Sequence, residues 1–85
     1  MTSTDTLLSL SVEYTDTYGG ESNYSWVRRA TIQAEDWRET ATVMRRAKKA
    51  VGISGLRGKT YDYGDMIEFR PYGMATVMFV TVDYH

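Results

Sequence analysis

The chain has 85 residues, a net charge of −1 at pH 7 and no cysteine. This length predicts a single domain over residues 1–85, since domains of fewer than about 100 residues rarely divide, and we expect residues 1–6 to form a flexible tail. The lack of cysteine excludes disulfides, thiolate nucleophiles and cysteine-bound zinc, and it favours a reducing compartment. Without a signal peptide or an apolar run of about 18 residues, the sequence predicts a cytoplasmic protein with no membrane association.

Two segments with alternating polarity predict an antiparallel hairpin at the start of the domain. Residues 8–14 alternate between apolar and polar side chains, which is typical of a half-buried strand. Residues 15–23 contain two adjacent glycines and predict a nine-residue turn. Residues 24–33 alternate again and predict the second strand. One face of this strand is predicted to carry Tyr24, Trp26, Arg28, Ala30 and Ile32, and the other Ser25, Val27, Arg29 and Thr31.

An amphipathic helix is predicted to follow, beginning near Asp36 and ending before Gly52. Asp36 and Glu39 have the spacing of a capping box, and glycine suits the position after a helix. Lys48 falls within the apolar stripe, so its aliphatic stem is expected to lie along the apolar surface with its ammonium group outside. The apolar members of the stripe are Trp37, Ala41, Met44, Ala47 and Val51.

The rest of the chain predicts a loop and two more strands. Residues 53–64 contain three glycines and predict a loop with a short extended piece at residues 59–61. A third strand is predicted around Ile67 and Phe69, followed by a turn that contains a proline and a glycine. A fourth strand is predicted over residues 75–84; it is apolar on both faces, which is typical of a central strand.

The predicted fold is α+β, with the order ββαββ, a mostly antiparallel four-stranded sheet and the helix packed on one face. One helix covers only one face of such a sheet, so we expect the open face to show Met78, Val80 and Val82 to solvent. The expected outcomes are a homodimer through the open face, a protein partner on it, or a tightly curled monomer.

No catalytic, metal or cofactor site is predicted. The only histidine is His85, the last residue, so the serines and threonines lack an internal base for nucleophilic catalysis. Asp62 and Asp65 flank a glycine and are explained by turn chemistry. We therefore expect a protein that is not an enzyme.

Charge is distributed unevenly along the chain. Residues 38–59 have a net charge of +6, whereas residues 1–37 have −4 and residues 60–85 have −3. On a helical wheel, Arg38, Arg45 and Lys49 fall together beside the apolar stripe. Such a face binds phosphates, docks on an acidic protein, or simply keeps a helix solvated.

These charges, together with nearby aromatic residues, define a candidate contact surface for a partner. Tyrosines in loops and strands supply stacking and packing area next to cations. Trp26 is expected in the core, and the contact surface is the alternative position for it. The candidate contact residues are Arg28, Arg29, Arg38, Arg45, Arg46, Lys49, Tyr18, Tyr61 and Tyr63.

One segment resembles a group of short, uncharacterised bacteriophage proteins: Tyr14-x-Asp16-Thr17-x-Gly19-Gly20-Glu21-x-Asn23-Tyr24-Ser25-Trp26-Val27-Arg28-Arg29. Similar stretches at residues 48–59, 63–65 and 70–73 extend the resemblance over most of residues 14–80. The resemblance implies a phage gene product that acts in the cytoplasm of the bacterial host.

Small phage proteins without catalytic residues usually act by binding. The resemblance therefore implies a stoichiometric binder of a host or phage macromolecule, such as an inhibitor of a host defence or nucleic-acid-processing complex. Two alternatives remain open: direct binding of nucleic acid through the basic helix face, and a homo-oligomeric structural or virion component.

Overall fold

A computed structural model describes residues 8–82 of the chain. All neighbouring strands pair antiparallel in the sheet order β2-β1-β5-β4-β3, and one helix packs on the sheet. The α+β class with one helix and an antiparallel sheet is confirmed, but the sheet has five strands rather than four. The predicted tail at residues 1–6 and the predicted strand end at residue 84 lie outside the described residues. The elements are β1 (Leu8–Tyr18), β2 (Glu21–Ala34), α1 (Thr40–Ala50), β3 (Gly58–Asp62), β4 (Met66–Pro71) and β5 (Thr76–Val82).

The additional strand, β3, lies where the sequence predicts a loop with a short extended piece. It pairs with β4 from Gly58 opposite Pro71 to Asp62 opposite Ile67. A Cβ atom on Gly58 would overlap the carbonyl oxygen of Arg70 and lie 2.6 Å from the Cα atom of Pro71. The glycine therefore permits the close approach of β3 to β4, and this pairing overrides the weak strand propensity of the segment.

The helix α1 begins at Thr40, four residues later than predicted. The capping box is not formed, because the Asp36 carboxylate accepts a hydrogen bond from the backbone N–H of Arg38 (2.9 Å) and closes a turn before the helix. The predicted helix end is confirmed: Gly52 donates to the Lys49 carbonyl (3.2 Å) and Ile53 donates to the Lys48 carbonyl (2.8 Å).

Burial of α1 only partly follows the predicted stripe. Met44 and Ala47 are buried as expected, but Val43 is buried as well and Ala41 is exposed. Lys48 is half-buried, but its ammonium nitrogen does not point outward as predicted: it lies 4.7 Å from the centroid of the buried Phe69 ring and 3.0 Å from the Leu56 carbonyl oxygen. Among the described residues, no helix has the length and apolarity needed to cross a bilayer.

The helix covers the opposite face of β5 from the one that the sequence predicts. Met78 and Val80 are fully buried in the core beneath α1, and Val82 packs against the same core. The opposite face carries Val77, which is fully buried, and Phe79, which is half-buried. The central position of β5 is confirmed, but alternation along a strand with two apolar faces cannot tell which face the helix covers.

The β1–β2 connection is a two-residue turn rather than the predicted nine-residue one. Gly19 and Gly20 occupy it with φ values of +64° and +88°, which glycine adopts without steric cost. Both strands therefore continue through the region predicted as a turn.

A large bulge interrupts β2 beside this turn. The pairing passes from Thr15 opposite Val27 directly to Thr17 opposite Ser22, so residues 23–26 face Asp16 alone. The Asp16 carboxylate accepts hydrogen bonds from the Asn23 amide (2.9 Å), the Ser25 backbone N–H (2.9 Å) and the Ser25 hydroxyl. These bonds hold the extra residues of β2 in one conformation.

The bulge also changes the face on which Tyr24 lies. Tyr24 has a φ of +58°, and its N–H donates to the Thr15 hydroxyl (3.1 Å), which itself donates to the Trp26 carbonyl (2.8 Å). The Tyr24 hydroxyl reaches Glu13 on the open face, so the prediction that Tyr24 shares a face with Arg28 is wrong. Alternation along β2 does not predict the face of Tyr24, because four residues of β2 lie opposite one residue of β1.

Replacing Gly58 by alanine is expected to lower the free energy of unfolding by about 1–3 kcal/mol, because the new methyl group would overlap the backbone of β4. Thr60→Ala, at an exposed position of the same strand, is the control. Urea denaturation of both variants tests the expectation, and a Gly58→Ala protein as stable as Thr60→Ala would contradict the close approach.

The hydrogen bonds to Asp16 hold its pKa well below the ordinary value of 3.8. A lowered pKa in the folded state adds stability above the ordinary pKa, and this stability is lost as the pH falls below that value. We expect the urea midpoint to decline below about pH 4, and to decline less in Asp16→Asn. A decline equal to that of the wild type would contradict this role, and Asp65→Asn controls for the loss of one exposed carboxylate.

Candidate binding surfaces

Three cations form the outer side of α1, and we call Arg45, Arg46 and Lys49 the basic face. They lie opposite the buried residues of the helix, within about 100° of one another around its axis, and all three are exposed. Arg46 donates to the Gln33 carbonyl on β2 (2.8 Å). Within residues 8–82, neither Arg45 nor Lys49 has a hydrogen-bond or ion-pair partner, so both charges are available to a partner.

The other predicted arginines lie elsewhere. Arg38 precedes α1 instead of belonging to it, and its guanidinium pairs with the Asp36 carboxylate (3.3 Å). Arg28 and Arg29 are neighbours on β2 and point to opposite faces of the sheet. On the helix side, Arg28 donates to the Val51 carbonyl (2.9 Å); on the open face, Arg29 pairs with Glu13 (3.0 Å).

The three predicted tyrosines lie apart from the basic face. Tyr18 is at the tip of the β1–β2 hairpin and is 82% exposed. Tyr61 lies opposite Glu68 in the sheet, and the Tyr63 hydroxyl donates to Glu68 (3.2 Å), so both tyrosines belong to the open face. The structure therefore divides the nine candidate residues among several surfaces.

A row of residues crosses the open face and was missed from sequence. Cα partners place Arg29, Glu13, Phe79, Glu68 and Tyr61 side by side on the five strands. Phe79 is half-buried between two carboxylates, and a depression of about 570 Å³ opens beside it. Alternating polarity in β1 and β4 indicates that Glu13 and Glu68 lie on polar faces of their strands. That they flank the same residue of β5 depends on the strand order, which the sequence pattern does not give.

Each glutamate of this row binds one arginine and one tyrosine. Glu13 accepts from Arg29 and from the Tyr24 hydroxyl (2.7 Å), whereas Glu68 accepts from the guanidinium of Arg70 and from Tyr63. The hydrogen bond to Glu13 is the largest cause that raises the pKa of the Tyr24 phenol above 10.0. Removal from water and then the bond to Glu68 raise the pKa of Tyr63.

A further surface lies on the helix side, at the end of the sheet near the β2 bulge. We call it the apolar groove; it has a volume of about 410 Å³ and its apolar side chains are Trp26, Ile53, Leu56 and Met74, with Tyr14 below. Trp26 is 41% exposed and Met74 is 47% exposed. The expectation that Trp26 lies in the core is wrong, because its ring is partly exposed and forms a wall of the groove.

The ring of Trp26 is nevertheless held in place. It meets Tyr14 edge to face, with ring centroids 5.3 Å apart, and Tyr14 donates its hydroxyl proton to Thr76 (3.0 Å). The guanidinium of Arg28 lies 5.9 Å from the Trp26 ring centroid, at the rim. A fixed, partly exposed aromatic ring beside a fixed cation is typical of binding hot spots.

A second depression, of about 340 Å³, adjoins the apolar groove. It is lined by Ala41, Met44, Arg45, Lys48, Ser54 and Gly55, and Ser54 also lines the apolar groove. The two depressions follow the side of α1 from its first turn to the β2 bulge. They bring Arg45 and Lys48 into one surface with Arg28 and Trp26.

Within the part of the chain that the structure describes, no three His, Asp or Glu side chains come together to hold a metal ion. No protein-family model, curated protein or solved structure matches the chain.

Glu13→Gln is expected to lower the pKa of Tyr24 towards its ordinary value of 10.0, because the charged hydrogen-bond acceptor becomes neutral. Nuclear magnetic resonance of carbon-13-labelled tyrosine, with Tyr24→Phe to assign the signal, measures this shift. An unchanged Tyr24 titration in Glu13→Gln would show that the hydroxyl does not bond to Glu13 in solution.

Proposed function

We propose that the chain is a small, non-enzymatic accessory protein of bacteriophage type, which binds a protein of the host or of the phage through the basic face of α1. Inhibition of a host defence or nucleic-acid-processing complex, in the bacterial cytoplasm, is the proposed consequence. The resemblance of residues 14–29 to phage proteins supports the context, and the exposed cations support the mode of action.

The observation that carries the proposal is the unbalanced charge of the basic face. Arg45 and Lys49 are exposed and have no partner among residues 8–82, whereas Glu13 is bound by Arg29 on the opposite face. An acidic partner would therefore gain ion pairs with α1 without breaking any that exist. Charge complementarity of this kind speeds association and selects the partner.

Rigidity adds to the suitability of this surface. Arg46 is fixed by the Gln33 carbonyl, and α1 is fixed to the sheet through Val43 and Ala47, which are fully buried. A surface that is already ordered loses less conformational freedom on binding. Exposed tyrosines elsewhere, such as Tyr18 at the hairpin tip, enlarge the area open to a large complex.

Direct binding of nucleic acid is the second candidate, favoured by the same unpaired cations. It differs in predicting an affinity that falls steeply with salt and co-purification of nucleic acid. A homodimer through the open face is the third proposal. Its expected apolar contact residues, Met78 and Val80, lie in the core instead, and Phe79 is the residue that would contribute apolar area.

Lys49→Glu is expected to abolish capture of the partner from a lysate of the bacterial host, because it reverses a charge at the centre of the basic face. Lys59→Glu is the matched control, since Lys59 is exposed on the opposite face of the sheet. Affinity capture at moderate salt followed by mass spectrometry compares both variants with the wild type.

The same experiment separates the candidates. Loss of one protein complex in Lys49→Glu alone supports the proposed function. Equal capture by both variants would overturn the role of the basic face, and captured nucleic acid that disappears on raising the salt concentration would favour the second candidate. The melting temperature serves as a check on folding, because a cation in the last turn of a helix contributes only about 0.3–1 kcal/mol.

A further inference from the structure

The apolar groove is an exposed hydrophobic surface that the folded chain does not cover. Trp26 and Met74 keep 41% and 47% of their surface exposed, whereas Ile53 beneath them is almost fully buried and Leu56 is half-buried. Burying such side chains against a partner gains roughly 25 cal/mol per Å² of apolar surface. Its volume of about 410 Å³ is in the range of natural ligand pockets, about 300–1,000 Å³.

The charge around the groove has one sign. Arg28 stands at the rim of the groove, and Arg45 and Lys48 line the depression that continues from it past Ser54. No aspartate or glutamate among residues 8–82 lines either depression. An occupant with carboxylates beside an apolar side chain would therefore meet complementary charge along its whole length.

We infer that the groove binds an acidic peptide segment of the partner protein, with one aromatic or large aliphatic side chain seated between Trp26 and Met74 and flanking carboxylates paired with Arg28 and Arg45. This inference rests on the proposed function and extends it, since it names the chemistry of the partner. The basic face attracts the partner, and the groove selects a segment of it.

The lining of the groove favours a peptide over a nucleic acid. Aliphatic and thioether side chains from Ile53, Leu56 and Met74 suit an apolar side chain, whereas bases need open ring faces and polar groups at their edges. Its polar side chains are those of Arg28, Ser54, Thr76 and Tyr14, and the hydroxyls of Tyr14 and Thr76 are bonded to each other. Arg28 is held by the Val51 carbonyl at one nitrogen, which orients the remaining guanidinium N–H groups for a carboxylate.

Fluorescence anisotropy with the full chain tests the inference directly. The probe is a dye-labelled peptide in which aspartates and glutamates flank one central phenylalanine. Comparison probes replace the phenylalanine by alanine, replace the acidic residues by lysine, or consist of labelled oligothymidine. We expect the first probe to bind, and the alanine probe to bind at least about tenfold more weakly, since tenfold corresponds to about 1.4 kcal/mol and a hot-spot residue contributes about 2 kcal/mol or more.

Two variants locate the site. Trp26→Ala removes the wall of the groove, and Met74→Glu places a negative charge at its mouth; each is expected to weaken the phenylalanine probe at least about tenfold. Trp26→Ala also removes the packing of Trp26 on Tyr14 and so affects the fold. Met74→Glu does not have this effect, because Met74 lies in an exposed turn. Lys59→Glu on the open face is the control and should bind as the wild type does.

Several outcomes overturn the inference. Equal affinity for the phenylalanine and alanine probes would show that charge alone holds the peptide and that the groove seats no side chain. Unchanged binding by Met74→Glu would show that the peptide binds outside the groove. Tighter binding of oligothymidine than of any peptide would assign the surface to nucleic acid.

Capture of the partner from a lysate distinguishes a failure of this inference from a failure of the proposed function. If Lys49→Glu loses the partner while Met74→Glu keeps it, the basic face binds and the groove does not. If the phenylalanine probe binds the groove but Lys49→Glu still captures the partner, the groove stands and the role of the basic face fails. Lys49 does not line either depression, so the two variants act on separate surfaces.

Discussion

Burial of the inner side of α1 in the core on one face of the sheet decides which residues of this chain meet solvent. Val43 and Ala47 pack in one core with Val12 and Val80, and all four are essentially inaccessible. Once that face of the sheet is occupied, strand alternation sends Glu13, Phe79 and Glu68 to the opposite face. The same burial turns the basic residues of α1 outward, so one packing choice separates a cationic side of the molecule from a side of paired charges.

The second feature that decides which side chains are exposed is a local set of hydrogen bonds in β1 and β2. A single carboxylate, Asp16, accepts the hydrogen bonds that hold four residues of β2 out of register. Trp26 ends this bulge, and its carbonyl is bonded to Thr15. Trp26 stays on the helix side with Arg28, as ordinary alternation predicts, but its ring is only partly covered and lines the groove instead of the core.

Much of the architecture was predictable, because it depends on patterns that are local in sequence. Alternating polarity identified four of the strands, and the amphipathic pattern with its terminal glycine identified α1 and its end. The β3 strand was missed because its formation depends on a contact between residues that are distant in sequence, namely the approach of Gly58 to β4. The helix start was misplaced because Asp36 bonds within a turn, which a spacing rule cannot distinguish from a capping box.

The candidate surfaces were less predictable than the fold. The sequence did group Arg45 with Lys49, since residues four apart share a side of a helix, but it added Arg38, which precedes α1 in the structure. It placed Arg28 and Arg29 with them, although neighbours in a strand point in opposite directions. The apolar groove joins side chains from the bulge, the segment after α1 and the β4–β5 turn, and only the folded chain brings Trp26, Leu56 and Met74 together.

The outer edge of β2 has a consequence for how the protein behaves at high concentration. An edge strand offers unpaired N–H and C=O groups to which strands of other molecules add, and long flat edges promote aggregation. Here the bulge interrupts the edge at residues 23–26, and the side chain of Arg46 occupies the carbonyl of Gln33. Only residues 27–32 of β2 remain for uninterrupted pairing, so a helix side chain and the bulge together shorten the part of this edge that is open to strands of other molecules.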